Sequence, residues 1–206
     1  MDEARRVRDF WFGQVPLTAG ALEQRVRFWF GSEPTPLRAR RDAEIKRQFG
    51  ALFELAAAGE LGSWADGPRR RLSLILLLDQ FSRNMFRGTA RAFATDQAAL
   101  TLTLTGMQAA ADAALGGVER LFFYMPLQHA ESSEAQEESL VAYRRLMSEA
   151  PPEFQATFAG ALRSAENHRA LIARFGRFPH RNLALGRESS DEEKEWLSKG
   201  GSLFGQ

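Results

Sequence analysis

Five polar residues in one stretch of the sequence are spaced so that they could act together in a binding site. They are Asp79, Gln80, Arg83, Asn84 and Arg87. On an α-helix, at about 100° per residue, these positions share one arc about 140° wide. A carboxylate on this arc could orient an imidazole, and its guanidiniums could bind an anion in a bidentate manner. The arc is therefore a candidate wall of a ligand site.

The helix that carries this arc is predicted to be apolar on every side in its first half. Leu72 and Leu76 occupy the polar arc one turn earlier. The opposite arc is filled by Leu74, Leu77, Leu78, Phe81 and Met85. A helix that is apolar all round is typical of a buried position. The sequence thus predicts a central helix over residues 69–87, whose polar arc lines either an internal site or an internal polar seam.

The three histidines of the chain, His129, His168 and His180, all lie within or beside polar motifs. Imidazole titrates near neutral pH and is the most frequent general acid or base in enzymes. Our hypothesis assigns acid–base chemistry to His180 or His129, oriented by Asp79 or Glu131. The full set of candidate ligand-binding residues is Gln80, Arg83, Asn84, Arg87, Glu131, His168, Arg177, Arg181, Asn182 and Arg187.

This hypothesis describes a pocket for a small anionic ligand, with the cofactor, if there is one, unknown. Arg83 and Arg87 would hold a phosphate or carboxylate, helped by Arg177 or Arg181. The loop over residues 177–187 would then have to fold against the polar arc, because buried polar groups need partners.

The hypothesis therefore predicts a direct contact between the 177–187 loop and the polar arc of the central helix. We expect an arginine or His180 within hydrogen-bonding distance of Asp79 or Gln80. We also expect His129 or Glu131 to close one side of the site.

Two alternatives remain open at the level of sequence. In the first, the arginines and histidines only satisfy buried helix ends and loop carbonyls, and Asp79 and Arg83 form a simple i,i+4 pair. In the second, the chain is a helical scaffold for a protein partner, and the polar cluster is structural. A metal site is disfavoured because no HExxH-like ligand pair is present. His168, taken alone, is best interpreted as a satisfied core histidine.

The composition bounds the class of protein. The chain has 206 residues, 44% apolar and 26% charged, which predicts one globular domain over residues 1–206. A net charge of +1 gives no general attraction to nucleic acid or membranes. There is no cysteine, and no apolar run approaches 18 residues. The start of the sequence lacks the apolar region of a signal peptide, so we expect a soluble cytoplasmic protein.

The arginine content is unusual, with 24 Arg against 3 Lys. Arginine suits bidentate contacts with anions, but genomic base composition can produce the same bias.

Glycines and prolines divide the sequence into about eight or nine helices without a convincing strand. Glycine is expected to end the helices at residues 13, 31 and 176, and residues 32–36 are predicted to be a linker before a helix that begins at Asp42. Further helices are expected over residues 97–115, 118–124, 133–148 and 153–174. Ser133 with Gln136, and Ser190 with Glu193, have the spacing of capping boxes. The predicted core includes Leu74, Leu77, Leu78, Phe81, Phe158, Ile172 and Phe175, and the aromatic clusters near residues 10–12 and 28–30 are interpreted as core anchors.

Several motifs are spread along the chain from near its first residue to near its last. They are DFWFG at residues 9–13, LDQFSRN at 78–84, FRG at 86–88, ATD at 94–96, PLQHAE at 126–131, RFGRFPHRN at 174–182 and LGR at 185–187. In this order they resemble the motifs of bacterial domain-of-unknown-function family 924. Ser82 stands where the family usually has Pro, and Ala130 where it usually has Ser. The resemblance implies a compact all-α fold with a tetratricopeptide-like superhelical arrangement. It implies no activity, substrate or cofactor.

Overall fold

The computed structural model describes residues 2–13, 15–30 and 35–201. Within these ranges every regular element is helical and there is no strand, which confirms the all-α class. The first three helices are α1 (Glu3–Phe12), α2 (Ala19–Phe30) and α3 (Thr35–Ala57). The helices after the central one are α5 (Asp96–Gln108), α6 (Gly117–Phe123), α7 (Met125–His129), α8 (Ser133–Ser148), α9 (Gln155–Phe175) and α10 (Asp191–Ser198).

The central helix, α4, is continuous but changes its geometry in the middle. It is α-helical over Pro68–Ile75, π-helical over Leu76–Phe81 and α-helical again over Ser82–Met85. Every residue of the π-helical segment is buried. Helices α1, α3, α5 and α6 pack around α4. The predicted central helix is thus confirmed, whereas its π-helical segment was not predicted from the sequence.

Several helix ends follow local chemistry in the expected way. Gly13 and Gly176 end α1 and α9 with φ angles of 72° and 68°, a region that glycine enters without steric cost. Ser190 and Glu193 form the predicted capping box at the start of α10. The predicted end of α2 at Gly31 lies outside the described residues.

Two helix boundaries differ from the sequence prediction. Helix α3 begins at Thr35 and not at Asp42, because Pro36 is compatible with the first turn of a helix, where no amide donor is needed. The rest of the predicted linker, residues 32–34, lies outside the described part of the chain. Helix α5 ends at Gln108 and not at residue 115, because Ala110 is left-handed (φ 52°) and a 3₁₀ turn, Ala111–Ala114, follows it.

The capping residue of α8 also differs from the prediction. Ser132, and not Ser133, caps the helix, and its hydroxyl accepts the Ala135 amide at 3.3 Å. The side chain of Gln136 points instead to the carbonyls that end α7.

The core is largely the one predicted. Of the seven residues named above, all but Phe175 are buried, and Phe175 is half-buried against Trp196. Trp11 and Phe12 are buried, and Trp11 contacts Phe81 of α4 with ring centroids 5.4 Å apart. Among the helices of the described ranges, none combines the length and apolar character needed to cross a membrane. The tetratricopeptide-like superhelical arrangement stays a prediction.

Candidate functional site

Several carbonyl groups in the π-helical segment of α4 accept hydrogen bonds from side chains. The carbonyls at positions 78, 79 and 80 accept hydrogen bonds from Thr95 Oγ1 (2.5 Å), Arg83 Nη1 (2.8 Å) and Asn84 Nδ2 (2.8 Å), respectively. Ser82 Oγ adds bonds to the first two carbonyls. A π-turn interrupts the regular i→i−4 pattern, and π-bulges occur frequently at functional sites. Part of the polar arc seen in the sequence therefore maintains the geometry of the helix itself.

Asp79 lies at the centre of the buried polar cluster and has no exposed surface. Its Oδ1 atom lies 2.6 Å from His129 Nδ1 and 3.1 Å from Arg83 Nη1, and Oδ2 accepts a 2.6 Å bond from Gln80 Nε2. Burial by itself would raise the pKa of Asp79, but Arg83 and His129 outweigh burial and hold this pKa well below its ordinary value. Asp79 is therefore a buried carboxylate that stays ionised.

Asp96, at the start of α5, joins the central helix to the loop over residues 177–187. Its two oxygens accept both Nη atoms of Arg83 at 2.8 and 2.9 Å, and Oδ2 also accepts Arg181 Nη1 at 3.1 Å. Arg181 Nη2 donates to the His129 carbonyl at 2.9 Å. The predicted folding of the loop against the polar arc is confirmed, but Arg181 makes the contact through Asp96 and not through Asp79 or Gln80.

Aromatic rings enclose the guanidinium that connects the loop to the cluster. The Arg181 guanidinium lies 4.7 Å from the ring centroid of Phe93 and 4.5 Å from that of Phe178. Burial, followed by repulsion from Arg83, lowers the pKa of Arg181 to about 10, so it remains charged at neutral pH. The role of Asp96 in joining the loop to the central helix was not predicted from the sequence, and Phe93 and Phe178 were not among the predicted site residues. The only sequence feature that could have indicated Asp96 is the ATD motif at residues 94–96.

The three imidazoles lie close together around this cluster. The rings of His129 and His168 are 6.0 Å apart, and the Phe178 ring lies 5.5 Å from His168 and 5.6 Å from His180. His168 Nδ1 is 2.7 Å from the Ser164 carbonyl, as expected for a satisfied core histidine.

All three histidines have lowered pKa values. Burial and Arg83 lower the pKa of His129 despite the adjacent Asp79. Burial, followed by His129, lowers that of His168 to about 3, and burial with Arg181 lowers that of His180 to about 3. The imidazoles are therefore neutral at pH 7, and the carboxylate of Asp79 selects the His129 tautomer that is protonated at Nδ1.

A second polar group connects the same loop to the segment between α7 and α8, and to α10. Arg187 forms a bidentate pair with Glu131 at 2.7 and 2.9 Å, and Glu131 also accepts the Phe178 amide at 2.8 Å. Arg177 pairs with Glu193 at 2.7 Å, and Asn182 donates to Glu193 at 3.3 Å. These predicted site residues thus hold the loop in place beside the imidazole cluster.

Arg83, on α4, and Arg87, in the turn that follows α4, pair with carboxylates of different helices. Arg83 binds Asp96, and Arg87 Nε donates to Asp42 of α3 at 3.0 Å. The observed partners of the two expected clamp residues are therefore carboxylates of the protein.

Gln136 is a further residue whose role was missed. Its Nε2 donates to the carbonyls of Leu127 (3.2 Å), Gln128 (2.8 Å) and Ala130 (2.9 Å), which flank His129. A single buried amide therefore fixes the end of the short helix that positions this histidine. The capping-box spacing in the sequence indicated a different contact for Gln136.

The chemistry that this arrangement can perform is acid–base chemistry at an imidazole. In the described part of the chain, no three His, Asp or Glu side chains are grouped so that they could hold a metal ion. A neutral imidazole with Nδ1 bound to a carboxylate presents Nε2 as a hydrogen-bond acceptor or general base. The buried carboxylate of Asp79 and the half-buried carboxylate of Asp96 are balanced by the guanidiniums of Arg83 and Arg181.

The fold and the cluster define a helical protein built around a π-helical segment with a buried Asp–His pair. The family described as "Bacterial protein of unknown function (DUF924)" matches residues 7–201, and the chain belongs to this family. A solved structure of a protein of unknown function, ATU0120 from Agrobacterium tumefaciens, is similar at 35% sequence identity with a TM-score of 0.79. That similarity covers 96% of this chain and 98% of the other. None of the curated proteins matches the chain.

Proposed function

We propose that the chain binds a small anionic ligand beside its three imidazoles, with His129 contacting the ligand and Asp79 positioning His129. The observation that carries this proposal is the 2.6 Å contact between His129 Nδ1 and Asp79 Oδ1. Asp79 is fully buried, whereas 16% of the His129 side chain is exposed. A ring anchored at Nδ1 and open to solvent on part of its surface has its other nitrogen available for a ligand.

The electrostatic surroundings of the imidazoles favour an anion over a cation. After burial, Arg83 is the main influence that lowers the pKa of His129, and Arg181 has this effect on His180. The same positive field attracts an anion, and a bound anion raises the pKa of the imidazole that it contacts. Because binding and protonation are linked, the affinity for an anion increases as the pH falls. Arg83 and Arg181 act on the ligand through their electrostatic field and not by direct contact, because both guanidiniums already bind Asp96.

The same geometry suits proton transfer to or from the bound ligand. His129 is the general acid or base of this proposal, and Asp79 is its positioning residue. His180 lies near the same ligand position and is the second candidate.

Histidine-selective NMR tests this proposal directly, since the only three histidines of the sequence all belong to the cluster. Without a ligand, we expect the histidine resonances to show no titration step near the ordinary pKa of about 6.5. Sulfate or methanesulfonate, which keep their charge between about pH 6 and 8, are added at constant ionic strength with chloride as the reference salt. We expect them to shift the His129 resonance and to bind more tightly at the lower pH.

Two variants make the test specific. His129→Gln removes the imidazole and should abolish the anion response of the remaining two histidines. Arg169→Gln is the matched control, because Arg169 lies on α9 with His168 but forms a half-exposed pair with Glu137. If neither anion shifts a histidine resonance, or if the two variants respond alike, the binding proposal is wrong.

The alternative is a helical scaffold for a protein partner, with the cluster serving only as a structural network. The balance of charges between Asp79, Asp96, Arg83 and Arg181 favours this alternative. It predicts no anion response in the NMR experiment. It also predicts that His129→Gln lowers the stability of the fold but that the folded variant keeps any partner that the wild-type chain captures.

A further inference from the structure

A separate cleft of about 860 Å³ lies between α1, the beginning of α4 and α6, and its lining shares no residue with the imidazole cluster. Its volume falls within the range of about 300–1,000 Å³ that is typical of small-molecule sites. Three arginines line the cleft, Arg5, Arg8 and Arg69, together with two carboxylates and several apolar residues. Arg5 pairs with Asp9, which leaves Arg8 and Arg69 as the arginines of the lining without an ion pair to a described residue. The charges of these two arginines determine which ligands the cleft can accept.

Arg8 is held in the cleft by neutral groups. Its Nη1 atom donates to the carbonyls of Ala4 (3.2 Å) and Arg69 (3.0 Å) and to Ser73 Oγ (2.9 Å). Among the described residues, no carboxylate forms an ion pair with Arg8, although its side chain is half-buried. Burial lowers the pKa of Arg8, and the nearby Glu119 only partly offsets this effect. A half-buried guanidinium without an ion pair favours the binding of an external anion.

The carboxylates that line the cleft are already engaged with other groups. Glu119 Oε2 accepts the Gly116 amide at 2.9 Å as part of the cap of α6, and Asp9 pairs with Arg5 at 3.3 Å. Arg69, in contrast, is exposed, and within the described chain its side chain forms neither a hydrogen bond nor an ion pair. Glu119 keeps its charge, but three arginines against two carboxylates still leave the lining with a net positive charge, and Arg8 and Arg69 have no ion pair within the described chain.

Part of the lining of the cleft is apolar. This apolar wall is formed by the exposed Val15 and Pro16, with the buried Phe12 beside them, and Val15 is 48% exposed. An exposed apolar wall beside two guanidiniums fits a ligand that has an anionic group at one end and an apolar body at the other. We propose that this cleft binds small amphipathic anions, with a phosphate monoester or carboxylate at Arg8 and Arg69 and an aromatic or aliphatic group on the apolar wall.

Titration calorimetry and amide NMR of the full chain test this assignment with phenyl phosphate and phenylacetate as probes. We expect both probes to bind and to shift the amides of Gly13 and Val15. Benzyl alcohol lacks the charge and inorganic phosphate lacks the apolar body, so each should bind at least fivefold more weakly than phenyl phosphate. If inorganic phosphate binds as tightly as phenyl phosphate, the apolar wall has no part in recognition and the proposed ligand class is wrong.

Arg69→Ala is the decisive variant, because it removes a cation of the cleft without breaking a side-chain contact. We expect it to weaken phenyl phosphate binding at least fivefold. The control is Arg70→Ala, since Arg70 lies next in sequence but packs over the Trp64 ring and does not line the cleft. This control should change the affinity by less than twofold.

Arg8→Gln should weaken binding more than Arg69→Ala does, and the Arg69 variant keeps the test valid if Arg8→Gln does not fold. Equal losses in the Arg69 and Arg70 variants, or the absence of probe binding to the wild-type chain, would overturn the assignment. The amides of Gly13 and Val15 report binding in this cleft, whereas the histidine resonances report the imidazole cluster, so the two sets of signals separate the two sites.

Discussion

Replacing Arg83 by alanine is the most direct test of how the central cluster is held together. Arg83 is only 7% exposed and bridges Asp79 of α4 to Asp96 of α5. The change removes four contacts: 2.8 Å to the Asp79 carbonyl, 3.1 Å to its Oδ1, and 2.8 and 2.9 Å to the two oxygens of Asp96. Asp79 would keep only His129 and Gln80 as side-chain partners.

The expected loss of stability in Arg83→Ala follows from the buried charge of Asp79, which the substitution leaves without its main partner. Removing one partner of a buried ion pair costs about 3–5 kcal/mol, because the remaining charge is desolvated without compensation. We therefore expect Arg83→Ala to lower the free energy of unfolding at pH 7 by about 3–5 kcal/mol, measured by urea denaturation followed by circular dichroism. Arg91→Ala is the control, since its ion pair with Glu54 is half-exposed and should contribute at most about 1 kcal/mol.

The difference in free energy of unfolding between the wild-type chain and Arg83→Ala should also depend on pH, which gives a second measurement. In the wild-type chain the pKa of Asp79 is lowered, so its stabilising contribution is present at neutral pH and is lost only as the pH falls through the lowered folded-state pKa. Without Arg83, burial dominates and raises the pKa of Asp79, so protonation relieves the penalty. The difference between the two proteins should therefore shrink towards about pH 4. A loss below about 1 kcal/mol at pH 7 with an unchanged m-value would refute the picture of a dry, mutually compensated cluster.

The remaining predictions concern the core, a loop anchor and the end of α7. Leu78→Ala should lower the free energy of unfolding by about 2–5 kcal/mol in urea titrations, and a cost near zero would mean that this face of α4 is not packed. The Arg177 hydrogen bonds lower the pKa of Glu193 to about 2, so the free energy of unfolding of the wild-type chain should fall between about pH 4.5 and 2. Glu193→Gln should lose this contribution to the pH dependence, whereas the control Glu192→Gln, at an exposed residue, should keep it. Gln136→Ala should destabilise the chain by about 1–3 kcal/mol, because a buried donor to three carbonyls is lost. The same change should shift the His129 NMR resonance, and an unshifted resonance would contradict the role of Gln136 in positioning His129.

Local sequence chemistry was sufficient to predict most of the helices and much of the core. The apolar periodicity of residues 72–78 predicted a buried central helix, and this depends only on the 3.6-residue repeat and the hydrophobic effect. Gly176 and the Ser190–Glu193 capping box marked helix ends because their contacts lie within four residues along the chain. The errors occurred where a local pattern had two solutions, as at Pro36, which can stand in a linker or in the first turn of a helix.

Only the tertiary structure decided which polar groups became partners. The sequence indicated that Asp79, Arg83 and the 177–187 loop belong together, because the buried polar arc needs to be covered. It did not indicate Asp96 as the residue that joins them, since Arg83 and Arg181 meet this carboxylate across 13 and 85 residues of chain, respectively. The π-helical turn at Leu76–Phe81 was also not predictable from the sequence, because one of its carbonyls accepts a hydrogen bond from Thr95, which lies outside the helix. Helices are determined by neighbours along the chain, whereas the cluster is determined by neighbours in space, which the packing of α4, α5 and the loop brings together.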